Sequence, residues 1–271
     1  MTQAAALDRA TESLLAFWAE AGVDAMLLDS PVDRIEAGKF VAPRPVEKAP
    51  IAPPQPKAVN HAPDVASAVL EARRLASESH TLEELKAAIA NFDGCPLKFE
   101  GARQAVFSRG AADAPLIVIG EGPGAEEDAR GEPFVGRAGR LLDKMLDAAG
   151  LTGRAFITNT VFWRPPGNRP PSLQEQAVCQ PFVERAIELV SPRMLLLVGA
   201  PSAKSMLKRE EGILSLRGRW FEWRSEDGKL ELPAMPTLHP AFLLRQPGAK
   251  KKAWSDLLTL TERLDRPDRG A

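Results

Sequence analysis

The stretch PLIVIGEGPGAEEDARGEPFVG, residues 115–136, decides how the rest of this chain is read. Its first six residues are apolar without alternation, which predicts a short strand covered on both faces. Gly120, Gly122 and Gly124 then enclose Glu121 and Pro123 in a tight turn where backbone can come close to a ligand. Glu126, Glu127 and Asp128 follow, acids suited to the first turn of a helix. The glycine spacing is neither that of a dinucleotide fingerprint nor that of a phosphate-binding loop ending in Lys-Ser/Thr. Alone, the turn reads equally well as purely structural.

Working outward, RAFITN (154–159), RMLLLVG (193–199) and PAMPTL (233–238) are three more short apolar strand candidates. Helical patterns over 137–149, 172–190 and 201–208 separate them. Strands alternating with helices predict an α/β fold, a three-layer α/β/α sandwich around a four-stranded parallel sheet. Ligands of such sheets sit outside the carboxyl ends of the strands. Glu121, Asn159, Gly199 and His239 all fall at or just after a strand end, which predicts a single site.

Upstream, residues 64–91 read as two helices, the second capped by Thr81 with Glu84 three residues on. Six prolines in 43–56 exclude a helix or central strand and predict an extended linker. Residues 7–28 read as an amphipathic helix carrying Leu7, Leu14, Leu15, Trp18 and Leu28. The expected organisation is an N-terminal helical extension (1–42), a proline-rich linker (43–63) and a catalytic domain (64–271).

With 44% hydrophobic and 26% charged residues, the chain has the balance of an ordinary globular protein able to bury a full core. No apolar run is long enough to cross a bilayer, so no membrane role is expected. Two cysteines exclude a disulfide framework and fit a reducing compartment, predicting a cytoplasmic protein. The net charge of -1 does not advertise nucleic-acid binding, but its distribution is uneven. Residues 1–42 hold seven acids against three bases, whereas 200–252 hold eleven Lys/Arg against six Asp/Glu. A basic C-terminal half can neutralise phosphates while the acidic leader cancels it in the total.

The string from Gly120 to Leu142 resembles motif A of the family 4 uracil-DNA glycosylases. It holds the Gly-Glu-x-Pro-Gly turn, Glu127 and Asp128, then Gly131, Pro133 to Gly136, Ala138, Gly139, Leu141 and Leu142. The resemblance continues through ITNTVFWRPPGNRPP (157–171), residues 181–207, LRGRW (216–220) and PTLHPAFLLRQP (236–247), covering roughly residues 92–260.

That resemblance implies an enzyme that flips uracil out of DNA and hydrolyses its N-glycosidic bond, leaving an abasic site. It implies a soluble, nucleoid-associated monomer whose partner is uracil-containing DNA. Phe134 is then the ring that stacks on the flipped base, within a pocket built on Gly120, Gly122, Pro123 and Gly124. Asn159 reads the base, accepting from N3–H and donating to O4, a pattern that cytosine reverses. His239 hydrogen-bonds charge gathering on the departing base. Glu121 is the first candidate for the carboxylate that favours the oxocarbenium-like sugar, and Glu127 the second. Other glycosylase families carry Asp where this chain has Gly122, so that base is missing. Leu243 or Leu244 is the wedge that fills the vacated stack, with Arg245 on a phosphate or the orphan base. Arg164 and Arg169 suit backbone contacts.

The chain departs from the family at the 4Fe-4S cluster, which its members typically hold on four cysteines. Only Cys95 and Cys179 remain at those positions, and Phe92 and Trp163 stand at the other two. The expectation is no cluster and no metal, with the two aromatic rings filling its volume. A catalytically weak uracil- or abasic-site-binding protein is the alternative.

Overall fold

The structure is a computed structural model and describes residues 65–266. The readings of 1–42 and of the linker 43–63 fall outside the described residues. In chain order the helices and strands are α1 (Val65–Glu78), α2 (Leu82–Asn91), β1 (Ser108–Gly110), β2 (Leu116–Gly120), α3 (Ala125–Arg130), α4 (Arg137–Ala148), β3 (Ala155–Asn159), α5 (Leu173–Val190), β4 (Met194–Val198), α6 (Ala200–Leu207), α7 (Ile213–Leu216), β5 (Phe221–Arg224), β6 (Glu231–Thr237), α8 (Pro240–Arg245) and α9 (Lys250–Leu264).

The sheet is mixed and six-stranded, in the order β1-β3-β2-β4-β6-β5. The four strands expected from sequence are its parallel centre, β3-β2-β4-β6. The expectation of a four-stranded sheet is therefore corrected by two antiparallel edges, β1 on β3 and β5 on β6. Both edges are short and only partly buried, so neither carries the continuous apolar run that marks a central strand.

Alternation along the central strands separates two apolar layers. Ile117, Ile119, Leu195 and Leu197 pack with α1, α2 and α5, while Leu116, Val118, Leu196 and Met235 pack with α4 and α9. The chain leaves β2 for β3 on one side and later returns past it to β4 on the other. That reversal leaves a crevice beyond Gly120, at the carboxyl end of β2. Among the described residues no helix is long and apolar enough to cross a membrane.

Two local anchors hold this frame. Thr81 caps α2 by accepting from the Glu84 N–H at 3.1 Å, and Glu84 Oε2 accepts from His80 N at 2.6 Å. Asp256, buried on α9, accepts from Thr237 Oγ1 at 2.7 Å and pairs with Arg217 through its Nε (3.1 Å) and Nη2. Thr237 ends β6 two residues before His239, so this pair ties the strand end to the last helix. Removing one partner of a buried ion pair strands the other charge. Asp256→Ala is expected to lower the unfolding free energy by about 3–5 kcal/mol, read from the shift in urea midpoint.

Candidate active site

A cavity of ≈ 640 Å³ opens at the carboxyl ends of β2, β3, β4 and β6 and brings Glu121, Phe134, Asn159 and His239 to one place. Its floor depends on Gly120. A Cβ there would collide with Asn159 Oδ1 and lie 2.5 Å from Phe134 Cζ, so the two side chains meet over a residue that has none. Asn159 is 1% exposed, and neither its Oδ1 nor its Nδ2 has a hydrogen-bond partner. No protein group pairs either atom, and burying a polar group unpaired costs roughly 1–3 kcal/mol, so both atoms are open to a water or a ligand in the cavity.

His239 caps α8, its Nδ1 accepting from Ala241 N at 3.1 Å. This acceptor role puts the proton on Nε2 in the neutral ring. Burial lowers its pKa to about 4, the positive charge of Arg245 adds to the effect, and Glu127 opposes it. The Phe134 and His239 rings lie 5.8 Å apart at 32°. Gly199, with φ 95°, permits this approach, since a Cβ there would stand 3.1 Å from His239 Cβ.

Glu121 sits half-buried in the cavity wall, and burial raises its pKa. Its backbone is pinned by Thr160, whose Oγ1 donates to the Glu121 carbonyl at 2.6 Å. Glu127 is placed differently: Oε2 accepts from Gly124 N at 3.1 Å and Oε1 from Gly136 N at 2.8 Å. Both oxygens are committed to backbone, so Glu127 braces the two loops and Glu121 is the carboxylate with free lone pairs. At Gly122 a Cβ would lie 2.8 Å from Val161 Cγ2, so the space an aspartate would need there is filled by an apolar side chain.

Pro123 and Gly124 line the cavity with Glu121. Of the expected DNA-contacting residues, Arg245 is exposed at the cavity mouth. Leu243 is fully buried against Leu238 and Ala253 and is not available as a wedge; Leu244, 38% exposed, is. The helical phase of α8 decides this, and the bare tripeptide Leu-Leu-Arg could not. Arg169 reaches Glu175 at 2.6 and 2.9 Å and Glu100 at 3.3 Å, while Arg164 Nε donates to Asn168 Oδ1 at 2.8 Å. These arginines stiffen the loop 164–171, whose Pro165, Pro170 and Pro171 form a cavity wall that the sequence reading left unassigned. The proline pairs themselves were the available signal.

Cys95 and Cys179 are fully buried in one apolar cluster with Phe92 and Trp163. Burial pushes the Cys179 thiol pKa up, with Cys95 beside it adding to the effect. Ring contacts close this cluster, Phe92–Phe182 at 5.2 Å and Phe162–Trp163 at 6.3 Å. Among the described residues no group of three or more His, Cys, Asp or Glu could hold a metal. Two buried thiols packed among rings do not fit a cluster that needs four anchoring ligands.

A doubly wound sheet with a buried amide, a histidine and a carboxylate converging at its switch point defines an α/β protein with a polar cavity at the strand ends. Residues 107–258 match the profile of the uracil DNA glycosylase superfamily, and the chain belongs to that superfamily. It is 36% identical over 181 residues to the Type-4 uracil-DNA glycosylase of Pyrobaculum aerophilum, covering 65% of this chain and 91% of the relative. The Type-4 uracil-DNA glycosylase of Sulfurisphaera tokodaii is 33% identical over 195 residues, covering 70% and 87%. That of Thermotoga maritima is 38% identical over 153 residues, covering 56% and 77%.

A folded-state pKa below the unfolded value means that the unfolded chain binds the extra proton first. His239 therefore contributes stability that is complete above pH 6.5 and lost as the pH falls from 6.5 towards about 4. Nitrogen NMR is expected to find its ring neutral and Nε2-protonated at pH 6, and His239→Gln should remove this component of the acid destabilisation.

Proposed function

We propose that this chain excises uracil from DNA by hydrolysing the N-glycosidic bond, the residues 64–271 acting as the catalytic domain. The observation that carries this reading is the unpaired amide of Asn159, buried at the end of β3 in the cavity. Its Oδ1 accepts from uracil N3–H and its Nδ2 donates to O4, which satisfies both atoms at once. Cytosine offers an acceptor and a donor in the reverse order, so an amide held in the uracil-reading orientation rejects it.

Phe134, whose ring packs over Gly120 and lines the cavity, stacks on the extruded base. Leu244 enters the vacated stack, and Arg245 holds an adjacent phosphate. As the C1′–N1 bond breaks, its electron pair moves into the uracil ring and onto O2. His239 Nε2–H donates to that oxygen from a ring already neutral, so the histidine itself gives up no proton. The Glu121 carboxylate stabilises the cationic sugar and orients the water whose oxygen bonds C1′. The water proton leaves with the departing base, giving uracil and an abasic site. Among the described residues no lysine lines the cavity, which supports hydrolysis without strand cleavage. The enzyme acts as a monomer on uracil-containing DNA in the cytoplasm, at the nucleoid. It does so without an iron-sulfur cluster, a reading supported by the two-thiol donor set and by the rings packed around it.

A second reading, a uracil- or abasic-site-binding protein with weak hydrolysis, is favoured by one observation: Val161 fills the space where a carboxylate on residue 122 would stand.

A labelled single-uracil oligonucleotide, treated with alkali after incubation, separates the two. Hydrolysis predicts alkali-labile breaks, reduced about 10²–10³-fold in His239→Ala. Tight binding without breaks selects the second reading. Because burial raises the Glu121 pKa above its ordinary 4.5, the acid limb of the rate profile is expected above that pH and lost in Glu121→Gln. An absorption band near 400 nm in anaerobically purified protein would overturn the cluster-free reading.

A further inference from the structure

Phe134 has φ 55°, a left-handed backbone that a bulky residue adopts only where its surroundings hold it. Three groups surround that turn. Glu127 fixes its downstream end through Gly136 N, and Gly139 leaves room for the Phe134 carbonyl oxygen, which a Cβ at 139 would overlap. The third is Arg109, on the edge strand β1. Its Nε donates to the Pro133 carbonyl at 2.8 Å and its Nη2 to the Phe134 carbonyl at 3.2 Å. Asp143 of α4 takes the same Nη2 at 2.6 Å and aims the guanidinium.

We infer that Arg109 is a positioning residue for the base-stacking ring: its planar fork grips the carbonyls on both sides of the Phe134 backbone and keeps the ring turned into the cavity. The inference rests on the reading of Phe134 as the stacking residue. Arg109 does not itself line the cavity, so its influence on a bound base passes through that turn. The geometry demands a fork. An ammonium on a flexible stem offers no fixed pair of donors spaced for two successive carbonyls.

A double-mutant cycle on the full chain tests this with the single-uracil oligonucleotide. Arg109→Ala is expected to lower kcat/KM about tenfold, equivalent to about 1.4 kcal/mol. It should lower it no further in a Phe134→Ala background, and Arg109→Lys should recover only part of the loss. Thermal unfolding of each variant checks that it is folded at the assay temperature. If Arg109→Ala does not fold, Asp143→Asn gives the same cycle with a smaller expected loss, again absent without the ring. Losses that multiply in the double variant, or an Arg109→Ala protein as active as the parent, overturn the inference. Full activity of Phe134→Ala instead removes the stacking reading beneath it, a result visible before the double variant is made.

Discussion

The end of β2 has no side chain, and the site is organised around that fact. Asn159 arrives from the neighbouring strand and Phe134 from the turn between α3 and α4, and both occupy space that any residue other than glycine at 120 would fill. The strand pairing fixes this meeting, since Gly120 lies opposite Asn159 in the parallel ladder. Gly120 and Thr160 extend the match one step further, the Thr160 N–H donating to the Gly120 carbonyl at 3.0 Å. A register slip of one residue would turn Asn159 to the other face of the sheet and take its amide out of the pocket.

Desolvation then sorts the ionisable groups. The same burial that lowers the pKa of His239 raises that of Glu121, because in each case it penalises the charged form. The histidine is thereby committed as a neutral donor, with Ala241 N occupying its other nitrogen. Glu127 shows the contrasting use of a carboxylate in the same wall. With both oxygens taken by backbone N–H groups it can only hold Gly124 and Gly136 in position. Charge type alone did not distinguish the two glutamates, but their hydrogen bonds do.

Much of this was legible in the sequence. The four central strands have continuous apolar runs, and the strand-end positions of Glu121, Asn159 and His239 follow from them. The edge strands were not legible: Ser108–Gly110 and Phe221–Arg224 are short, partly exposed and paired on one side only. Which of Leu243 and Leu244 is exposed was not legible, because the two are equivalent until the phase of α8 buries the first. Arg109 carried no signal at all. It is 25 residues from Phe134 in the chain and meets it only after β1 folds back on β3. Long-range hydrogen bonds to backbone carbonyls leave no local pattern to read.

The loop 164–171 is tied down along its length by its own contacts. Prolines fix its dihedrals, Arg164 and Arg169 tie it to its own carbonyl and carboxylate neighbours, and Glu175 anchors it to the first turn of α5. A wall of fixed shape loses little conformational entropy when a base enters, so the deformation needed for recognition falls on the nucleic acid. For uracil excision through such a wall, how readily a target nucleotide unstacks would govern how fast it is accepted. Under that regime a uracil mispaired with guanine, or lying in a frayed or single-stranded tract, would reach the pocket sooner than one held in a stable pair. Selectivity among genomic contexts would arise from the mechanics of DNA as much as from contacts to the base.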